Sequence, residues 1–287
     1  MTETRTSQMA SPAADGQPPV PVSVVEVRSE REARAAVAVL GEVWRREDAQ
    51  PPLPPELAWA FAHSGNYVAL ASAGDEPVAA ALGFRGEDAG GPHLHSHIAG
   101  VLPRWQGSGV GYLIKQHQRA WALGHGLDRV TWTFDPLVAR NAYFNVVKLG
   151  AQLTRYYVDF YGPMDDGIND GDETDRCLVT WRLTSPQATA AAAGGARPAD
   201  VAAARARGAA DLLVAGADRT PLLTATDADV RLVQVPSDVV RMRRDDPAAA
   251  QAWRRSLRRA LVPAFEEGLE VVGVSRDSWY VLARPNT

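Results

Sequence analysis

Two hydrophobic periods alternate along this chain, a period of two and a period near 3.6, and the switch between them recurs through most of its length. "VSVVEVRS" (Val22–Ser29) has the first period and predicts a strand. Ser29 then caps a helix, with Glu32 at capping-box spacing. Ala33, Ala36, Val37, Leu40 and Val43 or Trp44 mark one stripe of that helix, which is expected to run to about Glu47. A proline-rich loop, Ala49–Pro55, and a short helix closed by Gly65 follow.

Three strands are then expected, "NYVALASAG", "EPVAAALGFRG" and "HLHSHIAGVL", the first two joined at Gly74–Asp75. "GVGYLIKQHQRAWALGHG" is a helix, "RVTWTFD" a strand, "VARNAYFNVVKLG" a helix, and "AQLTRYYVDFYG" and "RCLVTWRL" are strands. Strands and helices in such alternation predict an α/β (α+β) layer structure, a mixed central sheet flanked by helices. "VRLVQVPSDV", the helix "DDPAAAQAWRRSLRRALVPAFEEG" and the hairpin "EVVGVSRDSWYVLA" make a small C-terminal α+β extension. Asp246 caps its helix, and Pro263 is expected to kink that helix or end its regular bonding.

Four segments follow: a disordered tail over 1–21, a main domain over 22–185, an alanine-rich linker over 186–215 and the extension over 216–287. The tail reading rests on Ser, Pro, Ala and Gly content, with no apolar core or early basic cluster of a secretory leader. The extension is short for a core of its own and is expected to pack on the main domain, shaping a pocket or mediating a homodimer.

Composition narrows the function. A net charge of -4 over 287 residues argues against a nucleic-acid surface. No run of eighteen apolar residues occurs, so no membrane span is expected, and the cytoplasm is the default location. The single cysteine, Cys177, lies in a strand and reads as a packed thiol. Nearly all basic residues are arginine; Lys115 and Lys148 are the two lysines.

The chemistry concentrates in "HLHSHIAGVLPRWQGSGVGYLIK", His93–Lys115. Strand, glycine turn and helix together aim backbone N–H groups outward at a helix N-terminus, an arrangement that holds phosphate oxygens. A Walker loop is excluded because no Gly-Lys-Ser/Thr follows, and the dinucleotide pattern fails because position 112 is Tyr. What remains is Gln-x-x-Gly-x-Gly over Gln106, Gly107, Ser108, Gly109, Val110 and Gly111. On a strand His93, His95 and His97 point to one face. Spread over about 13 Å, they cannot share one zinc, and no metal is expected.

Val101-Leu102-Pro103, then Gln106–Gly111, then an amphipathic helix resembles the acyl-CoA-binding motif of the GNAT superfamily of N-acyltransferases. The resemblance covers Val22 to about Leu183 and implies a GNAT fold. It implies that Ala99, Gly100 and Val101 pair with the pantetheine arm, that Gln106–Gly111 hold the pyrophosphate, and that Asn141 and Arg140 lie near the cofactor. "LHSHIAGVLP", "TWTFDPLVARNAYFNVVKLGA" and "DGINDGDETDR" further resemble a bacterial GNAT family with a C-terminal extension, some of whose relatives are N-succinyltransferases. Acetyl-CoA or another acyl-CoA such as succinyl-CoA is therefore the expected co-substrate, and a small-molecule amine or amino acid the acceptor.

His95 and His97 fall where arylalkylamine N-acetyltransferases carry two histidines, which implies a proton-accepting role; the alternative is satisfied polar residues between sheet and helix. In the family a tyrosine acid stands four residues before the glycine ending the next helix. Here that position is Val146, a departure, and Tyr143 is the substitute candidate or a core-edge aromatic. Asp135 reads as a turn cap or as a holder of the substrate ammonium. The acidic stretch Asp165–Asp175 lacks EF-hand spacing and reads as a solvated loop or lid. "RRSLRR" reads as a solvated helical face, or as an attractor of anionic substrate groups. An acyl-CoA-binding module without chemistry and a protein N-acetyltransferase are the rival readings.

Overall fold

The structure is a computed structural model that describes residues 6–10, 19–44, 51–162 and 172–285. These form two compact units, Met1–Thr131 and Trp132–Thr287.

The first unit holds β1 (Thr6–Ala10), β2 (Val20–Glu26), α1 (Glu30–Val43), α2 (Pro55–His63), β3 (Tyr67–Ala73), β4 (Glu76–Asp88), β5 (Gly91–Val101), α3 (Val110–Gly124) and the start of β6 (Arg129–Phe134). Its strands lie in chain order. β1 to β5 are antiparallel neighbours, and β5 meets β6 in parallel at Leu94↔Val130 and His95↔Thr131. The capping box forms as the spacing requires: Glu32 N–H donates to Ser29 Oγ at 3.3 Å, and Ser29 N–H donates to Glu32 Oε2 at 3.1 Å. The predicted stripe Ala33, Ala36, Val37 and Leu40 is buried, with α1 packed on β4 and β5. α3 buries Leu113, Ile114, His117 and Trp121.

The tail expectation needs correction at Thr6–Ala10. This segment pairs with β2 from Thr6↔Val24 to Ala10↔Val20. Backbone hydrogen bonding asks little of side-chain hydrophobicity, so low apolar content did not exclude a strand. Residues 1–5 and 11–18 lie outside the described residues.

The second unit holds α4 (Ala139–Tyr143), β7 (Gln152–Tyr157), β8 (Arg176–Arg182), α5 (Pro186–Ala192), α6 (Val201–Ala206), β9 (Ala210–Ala215), β10 (Pro221–Leu223), β11 (Arg231–Gln234), α7 (Val239–Asp245), α8 (Pro247–Glu266), β12 (Glu270–Val274) and β13 (Trp279–Ala283). Beside the end of β6 the strands run β8-β7-β12-β13-β11-β9-β10. β12 pairs with β7 at Val271↔Leu153, and α8 packs on β7. The extension is therefore joined edge to edge to a strand of the expected main domain, and a boundary at 185–216 does not describe this unit.

The expected linker 186–215 is largely regular structure. Ser185 Oγ accepts from Ala188 N–H at 3.2 Å and caps α5, while Asp200 Oδ1 accepts from Ala203 N–H at 2.9 Å and caps α6. Ala188, Ala191 and Ala204 are buried. Alanine has the highest helix propensity, so a run poor in large apolar residues still folds once capped. α8 continues through Pro263 to Glu266 rather than ending there. Cys177 is fully buried, and burial pushes its thiol up, as a packed structural cysteine requires.

Candidate active site

β5 carries an irregularity that strict alternation does not anticipate. Ile98 pairs with Leu82 and Ser96 pairs with Gly83, which leaves His97 as the extra residue of a bulge. Gly83 makes room for it: a Cβ there would stand 2.8 Å from the His95 carbonyl oxygen and 3.3 Å from Ser96 Cα. In consequence His93 is buried, His95 half-buried and His97 exposed. The three histidines share a face but differ in exposure: His93 lies at Gly86, and His95 and His97 lie against Phe84, two residues along the same strand.

His93 belongs to the scaffold. Its Nδ1 accepts from Arg129 Nη2 at 3.1 Å, and Arg129 also donates to Asp88 at 2.6 Å. His95 and His97 remain neighbours across the bulge. Their ring centroids are 6.4 Å apart, and both rings lie against Phe84, at 5.1 and 5.9 Å. His95 Nδ1 meets Thr131 Oγ1 at 3.2 Å. Burial, followed by the charges of His97, His93 and Lys115, brings His95 down to about 4. Burial also lowers His97. At neutral pH both imidazoles are free bases.

His117 and His125 are structural, while His63 is exposed at the end of α2, 5.7 Å from the Trp59 ring. His117 Nδ1 meets Tyr67 OH at 2.9 Å in the core, and His125 stacks on Trp121 at 3.9 Å. Among the described residues no three His, Cys, Asp or Glu side chains gather as metal ligands.

β5 leads directly into the glycine turn. Trp105 is buried under it, and Ser108 Oγ donates to the Trp105 carbonyl at 2.5 Å. Gln106 Nε2 donates to the Val101 carbonyl at 3.2 Å, so this side chain ties the turn to the strand. Gly107 and Gly109 have φ of +81° and +91°, in the left-handed region where a Cβ is strained. Gly109 is the N-cap of the fifteen-residue α3, without a side-chain cap. Among the described residues the N–H groups of Gly109, Val110, Gly111 and Tyr112 meet no acceptor. Unpaired donors at the positive end of a helix dipole fit an anionic diphosphate.

The strand edge is equally apt for an arm bearing amides. Past His95↔Thr131 the β6-side edge of β5 has no ladder partner among the described residues. Ala99 is exposed and Val101 half-buried on this stretch. Gly100 faces α1, where a Cβ would lie 3.0 Å from Val43 Cγ1, so its small size serves packing.

These features coincide with a known family. Residues 34–145 match the model described as the acetyltransferase (GNAT) family. That stretch is similar to the acetyltransferase (GNAT) family. The α/β architecture with a mixed sheet agrees with that similarity. Among solved structures the chain is similar to a GNAT-family acetyltransferase from Streptococcus pneumoniae, at 16% identity and TM-score 0.45, over 55% of this chain and 97% of that one. It is also similar to the ribosomal-protein-S18-alanine N-acetyltransferase from Escherichia coli, at 14% identity and TM-score 0.45, over 57% and 95%. Naa50 from Arabidopsis thaliana, solved with a bisubstrate analogue, is 17% identical with TM-score 0.41, over 55% and 97%. A search of the curated proteins found no match. Among the described residues no helix is long and apolar enough to cross a membrane.

In the second unit α4 passes into a π-helical turn over Phe144–Lys148. Bonding from i to i+5 adds a residue to the turn, so counting four back from Gly150 in α-helical register does not identify an equivalent position. Tyr143 is half-buried, with the Arg276 guanidinium 5.8 Å from its ring centroid; Asn141 is exposed on α4.

Asp135 resolves as a turn cap. Its Oδ1 accepts from Leu137 N–H at 2.9 Å, and its carboxylate also binds Arg254 and Arg243. The substrate-ammonium alternative loses its free carboxylate. The run "RRSLRR" needs a matching correction. Arg255 and Arg259 are exposed, but Arg254 is fully buried against Asp135 and Asp172, and Arg258 binds Asp175 at 2.7 Å and Glu173 at 2.6 Å. The end of the acidic stretch is thus the counter-charge of α8; residues 163–171 lie outside the described residues.

Proposed function

We propose that this protein is a GNAT N-acyltransferase that transfers an acyl group from acetyl-CoA, or from a larger acyl-CoA such as succinyl-CoA, to the amine of a small molecule or amino acid. The observation that carries the reading is one continuous stretch. Two neighbouring imidazoles held as free bases stand on the strand that runs straight into the turn of unpaired N–H donors.

When bound, acyl-CoA supplies the thioester carbonyl that the amine attacks, the C–N bond forming as the C–S bond breaks and the thiol leaves. The residues of this chain do the rest. Gly109–Tyr112 N–H groups hold the diphosphate, and the open edge of β5 over Ala99–Val101 orients the arm. An amine arrives as an ammonium and must lose a proton before it attacks. His97, exposed on the bulge, accepts that proton directly or through water. His95, pinned by Thr131, supports it as a second base. Tyr143 and Asn141 are proposed as a proton donor to the thiolate and a cofactor contact. The enzyme is expected to work in the cytoplasm.

The test is free-thiol release from acetyl-CoA and succinyl-CoA with a panel of amino acids and arylalkylamines. Turnover with one pair establishes the reaction and names both substrates. Silence across the panel, with acyl-CoA still raising Tm, would replace small-molecule transfer by a binding module or a protein acceptor.

A further inference from the structure

Behind the bulge, on the α3 side of β5, lies a buried polar triangle. Lys115 Nζ donates to Ser96 Oγ at 3.0 Å and to Gln118 Oε1 at 2.9 Å, and Gln118 Nε2 donates to Ser96 Oγ at 3.1 Å. Lys115 is 7%, Gln118 0% and Ser96 4% exposed. Ser96 stands in the chain between His95 and His97 and directly precedes the bulged residue.

The residue type is informative. Of the 30 basic residues only Lys115 and Lys148 are lysine, and arginine fills the other 28 places (30 less 2). Arginine also serves where this protein buries a cation against carboxylates, at Arg254 and Arg243. A guanidinium stays charged in any protein environment, whereas a buried ammonium can release its proton. Burial brings Lys115 down to about 7.

We propose that Lys115 is a positioning residue for the histidine pair: through Ser96 it holds the bulge of β5 from behind. The assignment rests on the reading of His95 and His97 as the proton-accepting pair. Ser96 cannot shift without dragging both neighbours, and the triangle gives it two partners from one helix. The charged groups that act on His95 are His97 and His93 from its own strand and Lys115 from α3; Phe84 and Thr131, which flank it from β4 and β6, carry no charge. Below neutrality the ammonium is charged and opposes protonation of His95. Burial is the larger cause of the low His95 value and remains when that charge is removed.

This chain suits the test because its sequence contains two lysines. With lysine labelled by 13C, two Cε signals are expected, and K148R assigns them. In the wild type the Lys115 signal should titrate near neutrality and the Lys148 signal should not. In K115M, of similar length and without charge, and in S96A, which leaves the lysine and cuts the link, the His95 and His97 imidazole signals should be displaced, and kcat should fall with little change in the KM for acyl-CoA. The imidazole signals need no substrate. Unmoved imidazole signals in both variants, or a risen KM with kcat unchanged, would overturn the proposal. Should K115M not fold, S96A still decides it. Displaced signals with unchanged kcat would leave the positioning standing and remove the catalytic role of the pair.

Discussion

Arg254 Nη2 donates to Asp135 Oδ2 at 2.9 Å across 119 residues of chain, and the same nitrogen donates to Asp172 at 2.8 Å. Burial acts to raise the Asp135 carboxyl, but the charges of Arg254 and Arg243 outweigh it and hold the group below its usual range. Removing one partner of a buried pair leaves an uncompensated charge. R254M is therefore expected to cost about 3–5 kcal/mol, read by urea unfolding at neutral pH. A depressed carboxyl contributes stability above its unfolded pKa, about 3.9, and loses it as pH falls through the lower folded value. Wild-type Tm should fall below about pH 4, and D135N should be less stable at neutral pH with a flatter acid profile. An R254M midpoint equal to that of the wild type would show the network to be dispensable.

Gly109 and Gly107 separate two reasons for glycine. Both have positive φ, but a Cβ on Gly109 would stand 3.0 Å from Gln8 Nε2, while a Cβ on Gly107 meets nothing within 4 Å. Left-handed strain of about 1–2 kcal/mol applies to both. G109V adds a branched side chain where the unpaired N–H groups begin, so the KM for acyl-CoA should rise about tenfold or more, the equivalent of about 1.4 kcal/mol. G107A should cost stability with a smaller change in KM. Equal KM values for G109V and the wild type would end the diphosphate assignment.

Much of this was legible in the sequence where the signal is local. The capping box at Ser29 and Glu32, the strand–turn–helix over His93–Gly124 and the apolar stripes of α1 and α8 depend on residues within a few positions of one another. The bulge was not legible, because alternation assumes a regular pleat and the reason for the break is Gly83 on the neighbouring strand. The roles of Asp135 and "RRSLRR" were not legible for the same reason at longer range: neither stretch contains its counter-charge. Lys115 did leave a trace, as a rare lysine in an arginine-rich chain, but only its burial beside Ser96 gives that rarity meaning.

Gly83 offers a direct test of the bulge. A methyl group there would lie 2.8 Å from the His95 carbonyl, a backbone atom that can move only with the strand. In G83A, β5 is displaced at His95–Ser96, and the His95–Thr131 contact lengthens. Misplacement of reacting groups by about 1 Å can cost about 10² in rate, so kcat should fall by about that factor while the KM for acyl-CoA, set by the turn, holds. A proportional rise in KM with kcat unchanged would show that the bulge serves cofactor binding instead.

The pH profile distinguishes catalytic from merely buried histidines. Burial lowers His97 from 6.5, so its imidazole stays a free base at pH values where an ordinary histidine is half protonated. Activity should therefore persist through pH 6.5 and be lost only as pH falls through the lower folded value. General-base assistance is worth about 10²–10⁴ in rate. H97A should lower kcat by a factor in that range and abolish the acid limb, because no group remains whose protonation stops the reaction at that pH. H95A should retain the acid limb close to its wild-type position, because burial is what lowers His97 and His95, which titrates lower, carries no charge in that range. A profile in H97A that superposes on the wild type after scaling would transfer the proton-accepting role to His95 or to solvent. The exposed position of His97 on the bulge would then serve the acceptor rather than its proton.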